Sequence, residues 1–298
     1  MRAAVFEEDQ VQPVSVNRIP SQFADIPPQE RLVELLDSIW PADGQVTAIA
    51  VAVPGPIDPQ AGTVRNTPNL PGLDEFPLVN YLETHYHVPV YLGNDANLAA
   101  LGEWTFGAGR GHHHVLYLTI STGIGSGVII ADQLLEGAHG MASELGHVTI
   151  LPDGPMCNCG QRGHLEALAS GTAIASWVCE QLNTGTRSIL SAQAKVTAKG
   201  VAEAAEKGDS LAIAAFERAG RYLGEALGNF LNIFNPSIVI LGGGVTSSCD
   251  LFIEPLKTAM AEKAFTPAYL EDLAIAIAEL GDDAGLMGAL ALARTKAA

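Results

Sequence analysis

Two imidazoles and two thiols crowd one stretch of the chain: His147, Cys157, Cys159 and His164. This mixed nitrogen and sulfur set suits tetrahedral zinc. Four protein ligands leave no open position for water, so such an ion would be structural. The Cys157-Asn158-Cys159 spacing lacks the Cys-x-x-Cys arrangement of a common dithiol redox site. The bland alternative is a reduced cysteine pair in a loop, with His164 exposed. Two carboxylates, Glu144 and Glu166, flank the ligands. Farther upstream, Asn94 and Asp95 stand between a short apolar run and a helical pattern, and ligands commonly bind beyond the carboxyl ends of such strands. Read alone, Asp95 is a helix cap. Thr122-Gly123-Ile124-Gly125 and Gly242-Gly243-Gly244 each follow an apolar strand. Small residues there let backbone N–H groups approach a phosphate, although either run alone could be a plain tight turn.

The elements that must carry these groups alternate. Strands are expected at residues 2–7, 11–18, 46–53 and 88–92, with helices at 29–40, 76–86 and 94–104. Residues 46–53 are nearly all apolar, as in a strand buried on both faces of a parallel sheet. A second set of strands is expected at 114–121, 127–131, 237–241 and 273–278. Helices are expected at 167–183, 194–207, 209–231, 251–261 and 284–293. Residues 56–77 and 136–165 read as loops. Alternating strands and helices mean α/β layers, divided near residues 105–113. The run His112-His113-His114 reads as a solvated strand entry.

With 298 residues, 48% of them hydrophobic and 16% charged, the chain suffices for two cores. Its formal charge of −17, without a basic run, argues against nucleic acid as a partner. The four cysteines make no disulfide framework and fit a reducing cytoplasm. Early acidic residues argue against a secretion signal, and the apolar runs are too short for a membrane span.

Several ordered segments together resemble one family. They are Val53-Pro54-Gly55-Pro56, the stretch from Asn66 to Gly72, Gly93-Asn94-Asp95-Ala96-Asn97 and the run from Ser121 to Gly127. Glu144-Leu145-Gly146-His147, the Cys157/Cys159 segment and Leu241-Gly242-Gly243-Gly244 complete the series. The set resembles the ROK sugar kinases and repressors, glucokinase-like members above all. The resemblance implies a two-domain actin-like ATPase (ribonuclease H-like) α/β fold. Residues 1–107 would form a small first domain, completed by the C-terminal helix at 284–298, and residues 108–283 a large second one. It implies ATP-dependent phosphorylation of a hexose, glucose first, with fructose, mannose or an N-acetylated sugar as alternatives.

By the same resemblance, Asp95 is the general base toward the sugar hydroxyl. Gly55, Asn69, Asn94, Asp95, Glu144, His147 and Glu166 line the sugar site, where carboxylates accept hydroxyl hydrogens and Asn both donates and accepts. Thr122, Gly123, Gly125, Gly242, Gly243 and Gly244 meet the nucleotide, which arrives with magnesium. His147, Cys157, Cys159 and His164 hold the zinc, His164 standing where the family has a cysteine. A homodimer is the expected assembly, with tetramers also found in the family. The family pattern opens with a strand and an Asp-x-Gly-Gly-Thr turn that would lie just ahead of Arg2, so the first domain is expected to lack its first strand and that phosphate-binding turn. An impaired sugar-binding protein is therefore the rival to an active kinase. A repressor would carry an added helix-turn-helix domain.

Overall fold

The structure is a computed structural model and describes residues 1–21, 26–42, 45–65 and 72–297. In chain order the elements are β1 (Arg2–Val5), β2 (Ser15–Arg18), α1 (Pro28–Asp37), β3 (Ile49–Val53), β4 (Ile57–Asp58), β5 (Thr63–Val64), α2 (Leu78–Tyr86), β6 (Val90–Asn94) and α3 (Asp95–Phe106). There follow β7 (His114–Ile120), β8 (Ile124–Ile130), β9 (Gln133–Leu134), α4 (Leu165–Ala169), α5 (Gly171–Asn183), α6 (Ala198–Glu206) and α7 (Ser210–Phe234). The last are β10 (Ile238–Gly242), α8 (Ile253–Lys263), β11 (Ala274–Ile277) and α9 (Ala284–Ala297). No helix among the described residues is long and apolar enough to cross a membrane.

The chain gathers into two compact units. One holds Met1–Gly111, Gln133–Ser143 and Asp282–Ala298; the other holds His112–Asp132 and Glu144–Gly281. In the first, β3 and β6 pair in parallel, with Val53 opposite Asn94. The pair β1–β2 is antiparallel and forms a separate two-stranded sheet, as does β4–β5. The second strand is shorter than the apolar run from residue 11 suggested: Val11 and Val14 precede it and are exposed. Ile49, Val53, Leu78, Leu82, Val90 and Leu92 fill one core of this unit.

A second core joins α3 and α9 through Leu98, Leu101, Ala289, Ala291 and Leu292. Their backbones meet directly. A Cβ at Gly288 would fall on the Leu98 carbonyl, and one at Gly102 on the Ala284 carbonyl. Only glycine allows this approach, which fixes the helix that begins at Asp95 against the last helix of the chain.

In the second unit β10 lies between β7 and β11, parallel to both, while β8 runs antiparallel to β7. All five residues of β10 are buried, which explains its unbroken apolar sequence. The long α7 starts at an Asp209 cap whose Oδ1 accepts from Ala212 N–H at 3.0 Å, and ends at Asn235 with φ 44°. The single helix expected over 167–183 is two. Ser170 sits extended between α4 and α5, and its Oγ caps α5 by accepting from Ala173 N–H at 3.1 Å. The strand expected from residue 127 begins earlier, at Ile124, because residues 124–130 pair continuously with β7.

Candidate active site

The end of β6 delivers Asn94 and Asp95, and the cap of α3 is Asn94 rather than Asp95. Asn94 Oδ1 accepts from the backbone N–H groups of Ala96 at 2.9 Å and Asn97 at 3.1 Å. Its amide nitrogen donates to the Gly55 carbonyl at 3.2 Å. Gly55 has φ 93°, a conformation that favours glycine, so the turn after β3 brings this carbonyl to the cap. One amide hydrogen of Asn94 stays available for a ligand.

Asp95 therefore occupies the first turn without the capping task. Its Oδ1 accepts from Ala96 N–H at 2.8 Å. The residue is exposed, while the protein packed around the carboxyl raises its pKa by desolvation. The N–H groups of Ala96 and of Asp95 itself act in the opposite sense. Asn69 lies outside the described residues, with the rest of residues 66–71.

In the second unit the four suspected ligands meet. One donor atom from each of His147, Cys157, Cys159 and His164 falls within 4.8 Å of the others. Cys159 Sγ lies 3.2 Å from His164 Nδ1, and Cys157 Sγ lies 3.7 Å from His147 Nδ1. Donors around a tetrahedral zinc stand about 3.3–3.8 Å apart, given metal bonds of roughly 2.0–2.3 Å. The group fits a metal ion after small movement. His164 is 7% exposed and Cys157 3%, so His164 is not the exposed imidazole of the alternative reading, while Cys159 is exposed. Burial lowers the pKa of His164, with His147 adding to the effect, so the neutral imidazole that ligates is favoured. Burial likewise pushes the Cys157 thiol up, a tendency that a bound divalent cation would reverse.

Glu144 precedes the short helical turn Leu145–His147 and is exposed. Glu166 lies in the first turn of α4, half-buried, and both its oxygens are engaged within the unit. Oε2 accepts from the backbone N–H of Ile124 at 3.0 Å. Oε1 accepts from the Cys157 thiol at 3.6 Å.

The turn between β7 and β8 holds Thr122 and Gly123, with Thr122 exposed. Gly125 lies in β8 opposite Thr119 and not in the turn, because pairing resumes at Ile124. Gly242 is the last residue of β10 and pairs with Thr119, so the two glycine segments lie at the ends of neighbouring strands. Gly243, at φ 85°, and Gly244 are exposed beyond it. Strand-end placement on one sheet is a common setting for nucleotide contacts. Gly171 and Thr172 carry no site role in the sequence reading, yet they bind this turn. Gly171 N–H donates to the Ser121 carbonyl at 2.8 Å, and Thr172 Oγ1 donates to the Thr122 carbonyl at 2.8 Å. Their sequence signals are the Ser170-Gly171-Thr172 helix start and their place at the end of the run from Gly163 to Thr172, which resembles the glucokinase-like members.

The chain has relatives among known proteins. The chain is 39% identical over 252 residues to a glucokinase of Thermotoga maritima, covering 83% of this chain and 79% of that protein. The crystal structure of a ROK family glucokinase from Streptomyces griseus in complex with glucose and AMPPNP superposes with a TM-score of 0.81 at 30% identity, covering 99% of this chain and 96% of that one. A ROK family transcriptional regulator, a homolog of the E. coli MLC protein, superposes with a TM-score of 0.89 at 27% identity, covering 99% of this chain and 75% of that one. One fold thus serves two kinds of protein, and activity must be argued from the site. Residues 2–296 match the ROK family as a whole, and the chain belongs to that family.

Proposed function

We propose that this protein transfers the γ-phosphoryl group of ATP to a hydroxyl of a hexose, glucose first, with Asp95 as general base. The observation that carries the reading is the division of labour at the start of α3. Asn94 makes the cap, so Asp95 is left accessible with a free oxygen and a pKa raised by desolvation. A carboxylate in that state accepts the proton of the attacking hydroxyl while its oxygen bonds to phosphorus and ADP leaves. The 39% identity to a glucokinase favours glucose among hexoses and favours a kinase over a repressor.

In this reading Gly55, Asn94, Glu144, His147 and Glu166 orient the sugar, together with Asn69. Thr122, Gly123 and Gly242-Gly243-Gly244 approach the nucleotide through their backbone, with Gly125 supporting the turn from β8. Magnesium bound with ATP supplies charge neutralisation on the phosphates. His147, Cys157, Cys159 and His164 hold a structural zinc, supported by the soft donor set and its compactness. The four free cysteines suit a cytoplasmic protein. A homodimer is the expected assembly on resemblance alone.

The test is hexose-dependent ADP formation by the purified chain with magnesium and ATP, glucose first, alongside no-sugar and Asp95→Asn controls. Turnover that needs sugar and disappears in the variant is the expected result. Glucose binding without turnover, in folded and metal-loaded protein, would instead make the chain a sugar-binding member of its family.

A further inference from the structure

The turn at residues 121–124 is gripped by the same segments that carry the suspected metal ligands. Glu166, two residues after His164, accepts the N–H of Ile124 at 3.0 Å. A Cβ on Gly123 would fall on Glu166 Oε2, so the turn is shaped to seat that carboxylate. From the other side Gly146, next to His147, presses on the Ile124 carbonyl, where a Cβ would clash. The adjoining Leu145 N–H donates to Ser126 Oγ at 3.0 Å. Gly171 and Thr172 bind the carbonyls of Ser121 and Thr122. Glu166 also touches the Cys157 sulfur, 3.6 Å from its Oε1.

We infer that Glu166 is a positioning residue for this turn, and that the metal loop sets the turn's geometry, so that metal occupancy reaches the nucleotide side of the protein. The Ile124 N–H is spent on Glu166 and does not itself meet a phosphate. The link needs no motion between the two units, since every contact lies inside the second. Its consequence for nucleotide affinity rests on the proposed role of the turn in binding phosphate.

Hydrogen exchange at the Ile124 amide tests the link without any substrate. It is compared in metal-loaded wild type, in wild type stripped by a chelator with metal content measured, and in Glu166→Ala, Glu166→Gln and Thr172→Val. Stripping and Glu166→Ala are expected to speed exchange at Ile124 by about tenfold or more, the worth of one hydrogen bond to a charged group. Amides of Leu98 and Leu101 in α3 should keep their rates. Glu166→Gln keeps a carbonyl acceptor and should restore most of the protection, while Thr172→Val should loosen the turn with its metal retained. The inference is overturned by unchanged Ile124 exchange in stripped protein or in Glu166→Ala, or by an equal rise in α3, which would mean general loosening. In a parallel titration, stripping should weaken AMPPNP binding several-fold more than glucose binding, and equal weakening would count against the inference. If loaded wild type binds no AMPPNP, the kinase reading fails and exchange alone judges the link.

Discussion

At the scale of single residues, the proposed mechanism turns on which of two neighbours caps a helix. Asn94 accepts the N–H groups of Ala96 and Asn97, Asp95 shares only that of Ala96, and in the proposed mechanism Asp95 takes the proton. Asp95→Asn should lower kcat by roughly 100- to 10,000-fold, the usual contribution of a general base, with little change in the sugar's KM. Its raised pKa places the acid limb of kcat/KM above the ordinary aspartate value of about 3.9. The sign for stability is opposite to that of a salt-bridged carboxylate. A raised folded-state pKa favours folding below the ordinary value, and this advantage is lost as pH rises through the folded value. At neutral pH Asp95→Asn should therefore hold or raise Tm while abolishing turnover, and a melt beside the activity assay checks both. Asn94→Ala should instead cost about 0.5–2 kcal/mol through the lost cap, seen as a lower melting temperature.

At the scale of elements, two packings present the site. The α3–α9 contact depends on Gly288, where any side chain meets the Leu98 carbonyl. Gly288→Ala should push the helices apart, destabilise the first unit by about 1–3 kcal/mol or more, and raise the sugar's KM by displacing the start of α3. Thermal melts and steady-state kinetics measure both effects. The metal loop is the second packing. Cys159→Ser removes one of four clustered donors and should reduce bound zinc from one equivalent toward none, read by metal analysis of dialysed protein. Loss of an outer partner to a metal ligand costs roughly 10- to 100-fold in affinity, and loss of the ligand itself should cost more.

At the scale of the whole molecule, the folded state should be linked to its ligands. Glucose at about 100 times its Kd should stabilise the fold by about 2.7 kcal/mol if it binds only the native state. A concentration-dependent rise in melting temperature with glucose, absent with a sugar that is not a substrate, is the expected outcome. The charge of −17 also argues that association with ATP relies on local backbone donors and magnesium rather than on a long-range positive field. Sedimentation at several protein concentrations measures whether the expected homodimer forms.

The sequence by itself determined the α/β alternation, the order of the motifs and the composition of the metal cluster, because periodicity and residue chemistry are local properties. Buried strands such as β10 announce themselves as unbroken apolar runs, and thiols with imidazoles announce a set of donors that could hold a metal. Only the tertiary structure decided which polar groups are already spent. Asn94 or Asp95 could each have capped α3, and geometry gave the task to Asn94. Gly125 looked like part of a phosphate turn until pairing with β7 drew it into β8. Glu166 was expected at the sugar, and the fold also sets its carboxylate against the Ile124 N–H and the Cys157 sulfur. Hydrogen-bond capacity is finite and is allotted by distant neighbours, so a donor or acceptor's availability emerges only when the chain is folded.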